Sequence, residues 1–329
     1  KAAIASYNYI GKNDKIAADQ AAVDAMRVEL NSINMNGEIV IGEGELDEAP
    51  MLYIGEILGN SNGPKFDIAV DPLEGTNFVA KNLPGALSVI ALAEKDKLFN
   101  APETYMDKIA INSKEHDIVD LDFTIEKNIS NLADSKNKRP EDLTACILDR
   151  PRHKEIIDKL KKMKVKLKLI TDGDVSGALY VTDEKYNVDI FLGIGGGPEG
   201  VLAASALDSY NCFFQSRLIF ETEEDKIRAK KMGIKDFEKK YYLNEIVSGD
   251  SIFCATGITS GDIVSGINKK HDYFYTETFV THKSTGLKKN CQIKTRNLMG
   301  VSFWVKNWEE IIVNKRLVEK FKLDFDFSE

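Results

Sequence analysis

Apolar residues at Val23, Met26, Leu30 and Ile33 recur at helical spacing and predict a helix over residues 14–33. Asp19, four residues before Val23, shares that stripe. A strand is expected over 38–41, ending in Gly42-Glu43-Gly44, where glycine lets the chain turn tightly and a ligand approach. A second helix is expected over 49–58, behind Asp47 and Glu48 and with Pro50 at an early helical position. Residues 66–70 alternate as a strand that is expected to stop at Asp71-Pro72, because proline donates nothing to a ladder. Leu73-Glu74-Gly75-Thr76 then reads as a loop, and 85–93 as a buried strand.

Residues 128–142 are polar, and this stretch is the expected boundary between an N-terminal half, 1–142, and a C-terminal half, 143–329, with the site between them. Strands are predicted over 144–148, 166–170 and 188–192, and helices over 151–163 and from Ser176 to Tyr180. A glycine run, Gly193 to Gly200 with Pro198 and Glu199, leads into a helix through Ala206. That alternation is the pattern of a layered α/β fold. A highly charged helix is expected over 223–241, and the last thirty or so residues carry weak signals.

Composition narrows the function classes. The chain has 329 residues, 43% of them hydrophobic, enough for a large core in two parts. Its net charge of −8 opposes nucleic-acid and anionic-membrane partners but not a small phosphate held by local cations. Cys146, Cys212, Cys254 and Cys291 form no C-x-x-C pair, which argues against structural zinc and for a reducing, cytoplasmic setting. No apolar run is long enough to span a bilayer, and no signal peptide is visible.

Five acids stand out: Asp19, Glu43, Asp71, Glu74 and Glu199. Carboxylates that converge away from water repel one another unless a positive charge lies among them. Hard divalent cations, Mg2+ or Mn2+, suit all-oxygen ligands. Asp71 and Glu74, three residues apart across a proline turn, can aim at one point with the Thr76 hydroxyl beside them. Those are the parts of a metal-assisted phosphate hydrolase. Arg150 and Arg152 flank Pro151 at a helix start, where guanidinium forks and backbone donors suit phosphate. Asp172 and Asp174 around Gly173 could accept from sugar hydroxyls, or Asp174 could cap a helix. His153 reads as a neighbour of this site and not as a base. One pattern points elsewhere: Gly195-x-Gly197-x-x-Gly200, with Glu221 about twenty residues on, fits a dinucleotide fingerprint and hence an NAD-dependent dehydrogenase. Glu199 would put a negative charge in a pyrophosphate cradle, and the acids at 43, 71 and 74 would be left without a role. A non-catalytic sugar-phosphate sensor would need the arginines but neither Thr76 nor the acids.

Asp71-Pro72-Leu73-Glu74-Gly75-Thr76 resembles the metal motif shared by inositol monophosphatases and fructose-1,6-bisphosphatases. The string from Ile41 to Met51, Tyr105-Met106-Asp107-Lys108, Asp149-Arg150-Pro151-Arg152-His153, Thr171-Asp172-Gly173-Asp174 and Gly195-Gly196-Gly197-Pro198-Glu199-Gly200 follow in the order of class II fructose-1,6-bisphosphatase. The resemblance runs from about Gly11 to Gly257 and beyond. It implies a sugar-phosphatase sandwich of alternating helix and sheet layers, Mg2+ or Mn2+ on the five acids, and hydrolysis of fructose 1,6-bisphosphate in gluconeogenesis. It implies Thr76 as the catalytic hydroxyl, helped by Glu43 or Glu74. Substrate contacts fall on Glu74, Gly75, Thr76, Tyr105, Arg150, Pro151, Arg152, Asp172, Gly173, Asp174 and Gly196, with Lys15 as a further cation near the phosphate. The expected assembly is a homodimer or homotetramer. The neighbouring readings are an inositol monophosphatase-like enzyme, whose late Trp-Asp motif is missing around Trp304 and Trp308, and a sedoheptulose bisphosphatase.

Overall fold

A computed structural model describes residues 1–44, 51–210 and 212–296. The fold is mixed α/β, and the described residues form two compact units: Lys1–Leu98 with the described chain from Asp250 onward, and Phe99–Gly249. The polar stretch 128–142 lies inside the second unit, most of it as helix and a short 3-10 turn, and the divisions fall after Leu98 and Gly249 instead.

The first unit is an eight-stranded mixed sheet with helices packed on it. Its strands are β1 (Asn36–Ile41), β2 (Ile57–Leu58), β3 (Lys65–Glu74), β4 (Leu87–Glu94), β11 (Ser251–Gly257), β12 (Asn268–Lys270), β13 (Tyr273–His282) and β14 (Leu287–Arg296). Its helices are α1 (Ala2–Tyr7), α2 (Lys15–Asn31) and α3 (Thr76–Ala80). The predicted stripe of α2 is the buried one: Ala22, Val23, Met26 and Leu30 share a core with Ile39, Ile68, Val70 and Val79. Asp14 caps that helix by accepting from the Ala17 amide at 3.0 Å.

Two expectations in this unit fail for physical reasons. Residues 51–58 are turns and a short strand, not a helix; Leu52 and Gly55 hold φ of 55° and 92°, and residues 49 and 50 fall outside the described residues. Glu56 is buried there, bonded to Arg27 at 2.6 Å and to the Leu52 amide at 2.5 Å, and it fixes the turn. The strand expected to stop at Asp71-Pro72 runs through it to Glu74. A register shift between Asp71 and Glu74 takes the proline out of the ladder without ending the strand.

The second unit is a six-stranded sheet in the order β10-β9-β5-β8-β6-β7. The strands are β5 (Tyr105–Ile111), β6 (Thr144–Leu148), β7 (Lys166–Ile170), β8 (Ile190–Gly196), β9 (Phe213–Ile219) and β10 (Lys240–Tyr242). The helices are α4 (Ile125–Ser135), α5 (Lys154–Lys162), α6 (Asp174–Leu179), α7 (Gly197–Leu207), α8 (Glu223–Lys231) and α9 (Leu243–Ile246). β6 and β7 have the predicted bounds. The strand expected to end at Leu192 continues into the glycine run, and the helix expected over 151–163 opens as a 3-10 turn, Pro151–His153. The charged helix stops at Lys231, short of 241, where Gly233 adopts φ of 90°. Among the described residues, no helix is long and apolar enough to cross a membrane. All four cysteines are thiols outside any disulfide.

Candidate active site

In the first unit, strand direction decides where the acids fall. β1 and β3 are parallel neighbours with Ile41 opposite Ala69. Two residues further on, Glu43 lies just past the carboxyl end of β1 and Asp71 is level with it near the carboxyl end of β3, still paired with Val89 of β4; this is the end at which open α/β sheets bind ligands. Glu43 follows Gly42, where a Cβ would run into the Leu52 carbonyl, so only glycine lets the chain leave β1 this way. Asp71 is half-buried and accepts from the Leu73 amide at 3.1 Å, which steadies the bulge. Glu74 is buried, with 4% of its surface exposed. Gly75 then turns through φ of 82°, and a Cβ there would press on the Phe78 ring. That turn makes Thr76 the first residue of α3. Asp19 projects from α2, the helix that packs on α3 and β3, and burial pushes its carboxyl above the usual range. Lys15 is exposed at the start of α2.

In the second unit, three adjacent strands deliver the remaining residues to one end. β6 is parallel to both β7 and β8. At their carboxyl ends come Arg150-Pro151-Arg152 after β6, Asp172-Gly173-Asp174 after β7, and Gly196 as the last residue of β8 with Glu199 three residues on. β5 runs antiparallel to β8 with Tyr105 opposite Gly196, so Tyr105 starts its strand at the same end. Arg152 donates to the Ile194 carbonyl from Nε at 3.0 Å and Nη2 at 2.8 Å, and its guanidinium lies 4.9 Å from the centre of the Tyr105 ring. Its side chain is therefore held in place while it stays exposed on the surface. Gly173 takes the left-handed conformation, φ 88°, and Asp174 opens α6. Asp174 is thus the first helical residue and not the cap.

Below these loops lies a fully buried lysine. The Lys108 ammonium, on β5, donates to Asp174 Oδ2 and, at 2.9 Å, to the Gly196 carbonyl. Glu199, in the first turn of α7, is pushed up by burial; Lys108 pulls the other way, and Asp174 and Asp172 add to the rise. His153 is buried as a neutral imidazole: Nδ1 lies 2.7 Å from the Leu148 carbonyl and must donate, while Nε2 accepts from the Ile194 amide at 2.8 Å. Burial, the leading influence, lowers its pKa. It is a brace between β6 and β8, not a base.

The all-oxygen donors at 19, 43, 71, 74 and 199 have the chemistry that Mg2+ or Mn2+ takes. The parallel register brings Glu43 and Asp71 to one strand end in the first unit, and Glu199 belongs to the second. Among the described residues, no three acidic, histidine or cysteine side chains stand close enough together to enclose a cation.

The family described as "Bacterial fructose-1,6-bisphosphatase, glpX-encoded" matches residues 1–295. The chain belongs to this family. It is 42% identical over 305 residues to the D-fructose 1,6-bisphosphatase class 2/sedoheptulose 1,7-bisphosphatase of Synechococcus sp. (strain JA-3-3Ab), covering 85% of this chain and 88% of that one. It is 41% identical over 303 residues to the fructose-1,6-bisphosphatase class 2 of Haemophilus influenzae, covering 88% and 91%.

For a class II fructose-1,6-bisphosphatase the glycine run has a reading other than dinucleotide binding. A Cβ on Gly195 would strike the Asp174 carboxylate, one on Gly196 the Glu199 carboxylate, and one on Gly200 the Met106 sulfur. These glycines make room for acids and for the β5 side chains beneath them. Glu221, the acid that the dinucleotide pattern would use, lies two residues past the end of β9 at Ile219 and not at the strand end. Sequence reasoning passed over Lys108 as a functional residue. Its signal is a lysine directly before Ile109-Ala110-Ile111 in a strand, where a charge is costly unless paired.

Proposed function

We propose that this chain hydrolyses the 1-phosphate of fructose 1,6-bisphosphate in a reaction that depends on Mg2+ or Mn2+. The observation that carries the reading is the gathering of Tyr105, Arg150, Arg152, Asp172, Asp174 and Gly196 at one end of β5, β6, β7 and β8. Such a set can hold a sugar with a phosphate that is not cleaved: arginine forks take the phosphate, and carboxylates take hydroxyls. The family makes the chain a phosphoric monoester hydrolase.

Asp19, Glu43, Asp71, Glu74 and Glu199 are assigned as the acids that hold metal. When bound, the divalent cation neutralises charge on the scissile phosphate and makes the attacking water more acidic. The chain's own groups do the rest. The Thr76 hydroxyl, fixed at the first position of α3 by the Gly75 turn, aligns water in line with the bond to the sugar oxygen. Glu43 or Glu74 takes the water proton as the new P–O bond forms. The bond to O1 breaks, and fructose 6-phosphate leaves with its O1 protonated from solvent. Gly75, Gly173 and Pro151 set backbone geometry at these turns, and Lys15 adds positive charge near the phosphate.

Phosphate release from a panel of sugar bisphosphates and inositol phosphates, with Mg2+, with Mn2+ and with a chelator, tests the reading. Release from fructose 1,6-bisphosphate only with metal is expected; release from inositol 1-phosphate alone would overturn it. The name of the Synechococcus relative favours a second substrate, sedoheptulose 1,7-bisphosphate, which belongs in the same panel. The wider placement among inositol monophosphatase-like sugar phosphatases, a gluconeogenic role, a cytoplasmic location and a homo-oligomer complete the proposal.

A further inference from the structure

Lys108 is among the largest fully buried side chains in the described part of the protein, beside Phe191, Phe214 and Phe253. A lysine taken wholly out of water is costly and persists where its charge and donors are used. Here the ammonium spends them on two loops that follow different strands. One bond goes to Asp174, which opens α6 after β7; the other goes to the Gly196 carbonyl, at the end of β8. Both acceptors belong to the proposed sugar-binding set. Space for this arrangement is built in, since Gly195 leaves room for the Asp174 carboxylate and Gly200 for Met106, with the Lys108 stem close by. The sheet carries it too: Lys108 stands opposite Gly193 on β8 and Ser216 on β9, in the middle of regular pairing.

We propose that Lys108 is a positioning residue for sugar recognition, locking Asp174 and the Gly196 backbone in one relative geometry from beneath. With Oδ2 of Asp174 held by the ammonium, Oδ1 is the oxygen left to accept from a sugar hydroxyl. The inference rests on the proposed fructose 1,6-bisphosphate activity. It predicts that Lys108 acts through Asp174 and on substrate binding more than on the chemical step.

Four proteins test it: the wild type, Lys108→Met, Asp174→Asn and the double variant, each assayed for phosphate release from fructose 1,6-bisphosphate with Mg2+. A hydrogen bond to a charged group is worth about a factor of ten or more, so Lys108→Met should raise KM about tenfold while kcat changes less than about threefold. Asp174→Asn should do the same, and the double variant should be no worse than the poorer single one. Full multiplication of the two single effects would overturn the inference, as would an unchanged KM or a loss confined to kcat. Lys108→Met leaves Asp174 buried beside a methyl group and should melt below wild type. The double variant removes that stranded charge and should regain part of the loss, so the comparison of Asp174→Asn with the double variant stands even if Lys108→Met fails to fold: lysine loss must then leave KM unchanged. A wild type that releases no phosphate from fructose 1,6-bisphosphate would sink the functional reading and the inference with it. A normal wild type with additive variants would sink the inference alone.

Discussion

The two units hold their acids in different ways. In the first unit, Glu43, Asp71 and Glu74 are placed by backbone devices: the carboxyl ends of parallel strands, a bulge at Asp71-Pro72 and the left-handed turn at Gly75. In the second, Asp174 and Glu199 are packed against glycines over a buried ammonium. Acids positioned by turns and a bulge leave nearby space for a hydroxyl and a cation, as a reacting centre needs. Acids and arginines packed on a rigid layer suit recognition, where geometry must not change as the substrate reacts. Under the proposed roles, the reacting hydroxyl of Thr76 belongs to the first unit and the sugar-holding residues to the second, with Glu199 set apart as a proposed metal ligand.

The largest expected effect breaks or confirms that assignment. Thr76→Ala should lower kcat by roughly 100- to 10,000-fold, the usual contribution of a positioned proton-handling group, with KM moved by a few-fold at most. Thr76→Ser keeps the hydroxyl and should retain part of the activity. Arg152→Ala should act the opposite way. Loss of a charge-assisted contact should cost about 10- to 100-fold in kcat/KM, carried mostly by KM. Arg152→Lys should restore only part of it, because lysine cannot reproduce the fork that lies on Tyr105 and the Ile194 carbonyl. Steady-state kinetics with fructose 1,6-bisphosphate read both. If Thr76→Ala raised KM alone, or Arg152→Ala lowered kcat alone, the division of labour would be wrong.

A smaller effect sharpens the packing half of the comparison. Gly196→Ala puts a methyl group where the Glu199 carboxylate lies. Overpacking of this kind costs about 1–3 kcal/mol, and if it is relieved by moving Glu199, kcat/KM should fall about tenfold or more. Gly233, with open space around its Cβ position, is the control. Gly233→Ala strains only a surface turn and should leave kcat/KM as it was.

Much of this architecture was legible in the sequence. Glycine and proline punctuation marked the ends of β1, β6 and β7, and those ends carry candidate residues; the glycine run expected to separate β8 from α7 is instead divided between them at Gly196 and Gly197. The helical stripe of α2 appeared at Val23, Met26 and Leu30, while Ile33 lies past the helix end at Asn31. What could not be read were features set by tertiary contacts. Residues 51–58 look helical by local propensity, yet Glu56 is drawn inward to Arg27 and the Leu52 amide and the chain turns. Asp71-Pro72 looks like a stop, yet a bulge absorbs the proline. Lys108 reads as an ordinary charged residue until two loops distant in sequence are seen to meet over it. The roles of β11, β13 and β14 as partners in the first sheet are likewise invisible in local pattern.

The smallest effect concerns stability, not rate, and it isolates the brace between β6 and β8. His153→Ala should leave the Leu148 carbonyl and the Ile194 amide without their imidazole, at about 1–3 kcal/mol for each buried group left unsatisfied. Because burial lowers the His153 pKa in the folded protein, the unfolded chain takes up a proton first as pH falls. The contribution of the neutral imidazole is therefore complete above the ordinary histidine value of about 6.5. It declines as pH drops from there toward the lowered folded value, and it levels off below that. Urea unfolding of wild type and His153→Ala between pH 8 and pH 5 should show the stability gap narrowing on acidification. A gap that stayed constant across that range would mean that the imidazole does not enter the folded state as the neutral bridge between these two strands.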